Sequence, residues 1–117
     1  MDAMKIAKLK SCGIDYDTGV DRFGGNEAMF EKFIRRYTED THHAELLATI
    51  DAKNSEQAFR VAHTLKGVVG NLSFTVYHQA ITPLTELLKE GKIEEARALL
   101  PSVNAAEEKV IEALKDL

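Results

Sequence analysis

The chain lacks most features that would take it outside the class of small helical domains. Proline occurs only at positions 83 and 101 of 117 residues, so few positions are barred from a helix interior. The single cysteine, Cys12, cannot form an internal disulfide, which favours a reducing compartment and makes the cytoplasm the expected location. No apolar run approaches the roughly 20 residues of a membrane span, and residues 1–10 lack the apolar stretch of a signal peptide.

Clustered positive charge is missing as well. The chain has 15 Lys and Arg against 19 Asp and Glu, for a net charge of −4, and the adjacent pair Arg35-Arg36 is too small for a basic patch. Nucleic-acid binding is therefore not expected. The sequence has no phosphate-cradling glycine loop and no kinase signature, so we predict no nucleotide site and no enzyme activity of its own. It has no His-x-x-x-His or Cys-x-x-Cys spacing, so we predict no metal site.

Apolar residues recur with helical spacing through almost the whole chain. Asp15 or Asp17 can cap a short helix that ends at Gly24-Gly25. Asn26 and Asn54 are good caps for two longer helices. The first of these carries the i, i+3, i+4, i+7 series Phe30, Phe33, Ile34 and Tyr37. Three further helices are predicted. One carries Ala44, Leu47 and Ile50 on one side, the second runs from about Thr75 to Glu90, and the last runs from near Ile93 to the C-terminus.

The helical segments together predict the fold. Four main amphipathic helices with short connections indicate an all-α antiparallel four-helix bundle, preceded by one or two short N-terminal helices. The length fits one domain over residues 1–117, and a monomer is the expected state. Pro83 and Pro101 lie inside predicted helices, where each should cause a kink or a short break. The initial Met1 and the end at Leu117 favour a free-standing protein, although a cloning boundary would look the same.

The segment around His63 carries the candidate chemistry, because it places a histidine on the outward face of a helix. At about 100° per residue, the apolar side chains form one stripe that must face the core; they are Ala58, Val61, Ala62, Leu65, Val68, Val69 and Leu72. His63 lies nearly opposite the centre of this stripe. A hydrogen-bonded core histidine is the commoner role for a lone histidine, and the helix rotation argues against it. An ordinary solvated surface histidine stays open as an alternative.

Two glycines on the same face favour a functional histidine over a merely solvated one. Gly67 and Gly70 lie mid-helix within about 60° of His63 by that rotation, and each costs the helix on the order of 1 kcal/mol relative to Ala. Their missing side chains leave the imidazole open to another molecule. Lys66, three residues from His63, can attract an anion such as a phosphoryl group, or it can be an ordinary surface lysine. Phe59, one turn earlier, can pack under the preceding helix or form an apolar docking surface.

These residues resemble the histidine-containing phosphotransfer (HPt) domains of two-component phosphorelays. The hallmark of that family is a helical His-x-x-Lys-Gly followed by small or apolar residues and often by Asn-Leu-Gly. The chain has His63-Thr64-Leu65-Lys66-Gly67 and then Val68-Val69-Gly70-Asn71-Leu72. Upstream, Gly13-Ile14-Asp15 and the stretch over residues 20–26 are similar to the family's N-terminal segment. The resemblance therefore covers about residues 13–117.

The resemblance implies a phosphorelay intermediate with a four-helix bundle fold. His63 would be the phosphoacceptor, Lys66 would be the cation that stabilises the phosphoryl group, and Gly67 would be the small residue that gives access to the imidazole. The imidazole would accept the phosphoryl group from an aspartate on a receiver domain and pass it reversibly to another receiver. The implied partners are response-regulator receiver domains and a hybrid sensor histidine kinase. The receiver would hold Mg²⁺, so no cofactor is expected on this chain.

Two positions depart from the pattern of the family. Ser73 stands where a glycine often follows Asn-Leu. Many members carry Gln or Glu on the neighbouring helix to orient the imidazole, and the matching residue here is Thr85. Because threonine is shorter, the group that orients His63 stays open. Lys89, one turn after Thr85, is a second candidate for stabilising the phosphoryl group.

Two alternative functions remain at this point. The chain can be a phosphoacceptor domain excised from a hybrid or chemotaxis-type histidine kinase, with ATP as the first donor through another domain. It can also be a structural or adaptor bundle in which His63 is never phosphorylated. The outward position of His63 beside Lys66 and the two glycines argues against the adaptor.

Overall fold

A computed structural model describes all of residues 1–117 and shows an all-α protein. The only strand-like contact is an isolated antiparallel bridge between Ile14 and Phe74, so the predicted fold class is confirmed. In chain order the elements are α1 (Ala3–Ser11), α2 (Tyr16–Arg22), α3 (Glu27–Arg36), a 3₁₀ turn (Tyr37–Glu39), α4 (His42–Asp51), α5 (Ser55–Asn71), α6 (Thr75–Lys89), α7 (Ile93–Ala98) and α8 (Leu100–Lys115).

The bundle is built around the antiparallel pair α5 and α6. The turn over residues 72–74 reverses the chain between them, α4 packs along α5, and α7 and α8 pack on α6. One or two short N-terminal helices are predicted, and the structure has two: α1, which packs on α8, and α2, which packs on α1 and α3. One continuous cluster of 26 buried apolar residues fills the interior. None of the helices combines the length and the apolar character needed to cross a bilayer.

Three N-caps predicted from the sequence begin their helices where expected. Asp15, Asn26 and Asn54 each accept a hydrogen bond from the backbone amide three residues later, at 3.2, 3.0 and 3.1 Å. Each bond satisfies one of the first-turn amides that have no acceptor within their own helix. The cap at Asn54 therefore fixes the start of α5, the helix that carries His63.

The predicted inward face of α4 is wrong. Ala44 is exposed and Leu47 is half-buried, whereas His43 and Leu46 are buried together with Ile50. Ile50 alone of the three predicted residues lies in the core. The inward face is shifted because His43, a polar residue that an apolar pattern does not count, points to the interior and finds partners there.

A buried polar network surrounds His43. Its Nδ1 lies 2.6 Å from the Tyr77 hydroxyl and its Nε2 lies 2.8 Å from Asn104 Oδ1. The Tyr37 hydroxyl lies 2.8 Å from that of Tyr77 and donates to Glu107 Oε2 at 2.7 Å. Burial of the two phenols raises the pKa of both tyrosines above the ordinary value. The network joins α4, α6, α8 and the 3₁₀ turn.

The two prolines have different effects. The last predicted helix is divided at Leu99, so Pro101 lies in the first turn of α8, where its missing amide leaves no hydrogen bond unmade. The break expected near Pro101 is therefore present. Around Pro83 the expected short break is absent, because α6 continues through it. Pro83 and the residue four positions earlier, Gln79, are both exposed, so water can bond the carbonyl that loses its partner.

The N-terminal segment is fixed to the turn between α5 and α6. The Asp15 amide donates to the Ser73 carbonyl at 2.8 Å, and the Gly13 carbonyl accepts from the Val76 amide at 3.3 Å and from the Thr75 hydroxyl at 3.1 Å. Gly13 has φ +87°, and a Cβ there would stand 2.7 Å from the Cβ of Val76, so the contact requires glycine. These bonds hold α2 beside the C-terminal half of α5.

Candidate functional site

Helix α5 presents His63 to solvent on the face opposite its core stripe. The buried residues of α5 are Ala58, Val61, Ala62, Leu65 and Val69, and His63 is exposed. The orientation derived from the helix rotation is the one that the structure has. It depends only on the local sequence of α5, because one apolar stripe leaves the helix a single way to face the core.

The imidazole of His63 is supported on one side and open on the other. The Phe59 ring lies with its centroid 5.8 Å from that of the imidazole, inclined by 35°. Phe59 is half-buried and packs against the core. On the other side, a Cβ added at Gly67 would have nothing within 4 Å. Imidazole hydrogen bonds occur in this chain only at His42 and His43, so no group of the chain occupies either ring nitrogen of His63.

His63 lies in a groove between α2, α5 and the start of α6, with a volume of about 470 Å³. The α5 side chains at His63 and Lys66 line it, together with Gly67 and Gly70. Of the sequence-predicted site residues, these four are brought together. Lys66 is half-buried, since its alkyl chain runs along the helix surface.

The groove contains positive charge and no negative charge. None of its thirteen lining residues is Asp or Glu, although the chain has 19 of them. Arg22 and Lys66 are its cations, and His63 and His78 are its imidazoles. In a protein of net charge −4, this local excess of positive charge favours an anion in the groove.

Gly70 does not give access to His63 in the predicted way. A Cβ there would lie 3.1 Å from Cδ2 and 3.4 Å from Nε2 of His78. The space over Gly70 is thus occupied by a second imidazole, and a side chain there would press on the His78 ring. Of the two glycines, only Gly67 faces open space.

Thr85 and Lys89 are not part of the groove. Thr85 is 2 % exposed, and its hydroxyl donates to the carbonyl of Ile81 at 2.8 Å. Helix rotation turns this residue to the interior, so it has no hydrogen left to offer His63, and its predicted role in orienting the imidazole is not supported. Lys89 is exposed in the last turn of α6, and it does not line the groove beside Lys66.

Arg22 and His78 are groove residues that the sequence did not reveal. Arg22 Nη1 donates to the carbonyl of Gly70 at 2.7 Å, across 48 positions of the chain. A cation at this place stabilises the C-terminal end of α5, where carbonyls have no partner in their own helix. Neither residue belongs to a local pattern, because each reaches the groove only through the packing of α2 and α6 on α5.

Comparison with protein families gives one match. The family model described as Hpt domain matches residues 28–117, which is more than half of the chain. No curated protein and no solved structure matches the chain. The matched residues include α5 and α6 and leave out α1 and α2. Of these two helices, α2 supplies Thr18 and Arg22 to the groove.

Proposed function

The chain belongs to the Hpt domain family, and we propose that His63 is its phosphoacceptor. Hpt domains carry phosphoryl groups on histidine in two-component signalling, and they interact with receiver domains and kinases. They are carriers and have no nucleotide site of their own. The observation that supports His63 is its exposed imidazole, free of hydrogen bonds, beside the open position at Gly67.

The proposed step is an in-line transfer between an aspartyl phosphate and the imidazole. A neutral ring nitrogen of His63 attacks the phosphorus with its lone pair. The nitrogen–phosphorus bond forms as the bond from phosphorus to the carboxyl oxygen breaks, and the bonding electrons leave with the aspartate. The second ring nitrogen keeps its proton and can exchange it with water. The reaction is reversible: the same step in the opposite direction passes the phosphoryl group from His63 to the aspartate of a second receiver.

Lys66 and Gly67 have complementary roles in this proposal. The Lys66 ammonium, one helical turn from His63, offsets the negative charge of the phosphoryl oxygens during transfer. Gly67 lets the donor domain come within bonding distance of the imidazole. Phe59 fixes one face of the ring, which limits the orientations that the imidazole can take. None of the three needs to move a proton.

The remaining catalytic groups would come from the partners. We propose response-regulator receiver domains as both donors and acceptors and a hybrid sensor histidine kinase as the source of the phosphoryl group. The receiver would hold Mg²⁺, because the lining of the groove offers no carboxylate to bind it. Cytoplasmic location and a monomeric state stay predictions from the sequence.

Transfer from a phosphorylated receiver domain tests the proposal. The wild-type chain should acquire a label that is lost in acid and stable in alkali, as expected for phosphate on a ring nitrogen. His63→Gln should acquire none, and its melting temperature should stay close to that of the wild type because the side chain is exposed. A structural or adaptor bundle predicts no label on either protein.

His78→Gln is the matched control, because His78 is the other histidine of the same groove. It should still acquire the label, because His63 is intact. A label that survives His63→Gln and disappears in His78→Gln would move the acceptor to His78. An excised kinase domain differs in a further way, since it would also be labelled from ATP by its own kinase.

A further inference from the structure

Ser73 is a buried residue whose hydroxyl is not used by the fold. It is 3 % exposed, and its Oγ is the one buried side-chain nitrogen or oxygen of the chain without a hydrogen-bond partner. An unpaired buried hydroxyl lowers stability, and native proteins rarely keep one without a reason. Ser73 is also one of the residues that line the groove next to His63.

The backbone of Ser73 is unfavourable for a residue with a side chain. Its φ is +60°, in the left-handed region that favours glycine. The conformation ends α5: the Ser73 amide donates to the Gly70 carbonyl at 3.1 Å, and the Phe74 amide donates to the Val69 carbonyl at 2.9 Å. Glycine would adopt this conformation at lower cost. Ser73 therefore lowers stability in two separate ways, through its unpaired hydroxyl and through its positive φ.

The groups near Ser73 in the groove are hydrogen-bond donors. Thr75 is the first residue of the 15-residue helix α6, which has no side-chain N-cap. The backbone amide of Thr75 has no acceptor in the chain. The Arg22 guanidinium donates one hydrogen bond, from Nη1 to the Gly70 carbonyl, and its other nitrogens make no hydrogen bond to the chain. The ring of His78 makes no hydrogen bond. The positive end of the α6 dipole adds to these donors, and no carboxylate lines the groove to oppose an anion.

We propose that Ser73, Thr75, Arg22 and His78 form an oxyanion-binding subsite at the opposite end of the groove from His63. The Ser73 side chain turns about a single bond, so its hydroxyl can leave its buried position and donate to a bound oxygen. Gly70, which contacts this end, follows His63 by seven residues, or roughly 10 Å along α5. An anion bound here is therefore separate from the phosphoryl group on His63.

The oxyanion has two sources, a free phosphate ion and a carboxylate of a docked receiver domain. The second source rests on the proposed function, and the first does not. In either case the same donors meet the same chemistry, two oxygens or more that carry negative charge. Arg22 comes from α2, outside the residues that match the Hpt family model, so the subsite uses a part of the chain that the family match does not cover.

Two substitutions of Ser73 separate the hydroxyl from the backbone. Ser73→Ala removes the hydroxyl and keeps the positive φ, whereas Ser73→Gly removes both costs. Lys53→Gly is the matched control, because Lys53 has φ +57° after α4, and it does not line the groove. Both glycine variants should raise the melting temperature by a few degrees. Ser73→Ala and Ser73→Gly should weaken anion binding, and Lys53→Gly should leave it unchanged.

Binding is measured by NMR titration of the whole ¹⁵N-labelled chain, once with inorganic phosphate and once with an unphosphorylated receiver domain. In the wild type the Thr75 amide and the His78 ring should shift on at least one titration. Ser73→Ala should weaken that binding by about two- to tenfold, the value of one hydrogen bond. Shifts with phosphate alone identify a free oxyanion as the ligand. Shifts with the receiver alone, if Ser73→Ala weakens them, identify an oxyanion of the docked partner, for which a carboxylate is the proposed source.

The subsite is overturned if both titrations leave Thr75 and His78 unshifted, or if Ser73→Ala binds as tightly as the wild type. Labelling of His63 from a phosphorylated receiver is measured on the same samples. Absence of label on the wild type contradicts the proposed function, and the phosphate titration still tests the subsite in that case. Normal labelling without any shift at Thr75 contradicts the subsite alone.

Discussion

Two histidines on neighbouring helices have opposite surroundings in this bundle. His43 on α4 is 7 % exposed, and both of its ring nitrogens have partners, at 2.6 Å from Tyr77 and 2.8 Å from Asn104. His63 on α5 is exposed, and neither of its nitrogens is bonded to the chain. Helix α6 borders both regions, because Tyr77 belongs to the buried network and the next residue, His78, lines the groove.

The difference separates a histidine that stabilises the fold from one that can react. A nitrogen of His43 could act as a nucleophile only after losing a buried hydrogen bond, which costs about 1–3 kcal/mol when the partner stays unpaired. His63 has no such bond to lose, and Phe59, Lys66 and Gly67 are among its neighbours along α5. Four predictions test whether the two regions are as independent as this comparison suggests.

The largest effect is expected at Gly67. Gly67→Leu should slow phosphoryl transfer by about 100-fold, because a side chain over the open position displaces the donor by an ångström or more. It should not lower stability, since nothing lies within 4 Å of the new Cβ and leucine favours a helix by roughly 1 kcal/mol over glycine. Stopped-flow transfer rates and thermal unfolding measure the two effects. Gly67→Ala is the size control and should transfer nearly as fast as the wild type.

In the buried region, Tyr77→Phe should give the opposite result. The substitution removes the hydrogen bonds that the Tyr77 hydroxyl makes with His43 Nδ1 and with the Tyr37 hydroxyl. The free energy of unfolding should therefore fall by about 1–3 kcal/mol. Transfer at a temperature where the variant is folded should match the wild type. Slower transfer with unchanged stability would show that the network acts on the groove through α6, and the comparison would fail.

The third prediction compares two lysines of equal charge. Lys66→Ala should slow transfer on the order of tenfold, because one charge-assisted contact to the phosphoryl group is lost. Lys89→Ala should have no measurable effect, since Lys89 is exposed and does not line the groove. Equal effects of both variants would indicate a general influence of net charge. In that case Lys66 would have no specific role at His63.

The last prediction concerns stability in alkali, where the tyrosines ionise. Burial, together with the hydrogen bond to Glu27, raises the pKa of Tyr16 to about 12, and burial raises the pKa of Tyr37 and Tyr77 further. The fold therefore favours neutral phenols, whereas unfolded tyrosines ionise near pH 10. The stability that the tyrosines contribute should be fully present below about pH 10 and should be lost as the pH rises towards 12. Phenolate absorbance of the folded protein at pH 10 would contradict this.

The parts of the fold and site that the sequence predicts are those set by neighbours in the chain. The N-caps at Asp15, Asn26 and Asn54 act within one helical turn, so their residue types suffice. The exposure of His63 follows from the apolar stripe of α5. Lys66 and Gly67 lie within one turn of His63, so their positions in the groove follow as well.

The remaining parts depend on contacts between helices far apart in sequence. His43 is buried because it bonds Tyr77 and Asn104, and no apolar pattern indicates that. The space over Gly70 holds the His78 ring and not a partner protein. That position can be predicted only when the packing of α6 on α5 is known. Thr85 was matched to an orienting residue by position, and the rotation of α6 turns it inward. Such positions are set by side-chain packing across the whole bundle.

The most direct test of the central claim is an ¹H–¹⁵N NMR spectrum of the imidazoles before and after phosphorylation by a receiver domain. The account predicts that the nitrogens of His63 shift strongly and that one of them shows coupling to ³¹P. The ring nitrogens of His43 should keep their frequencies, because the buried network stays intact. Phosphorus coupling on any histidine other than His63 would contradict the account.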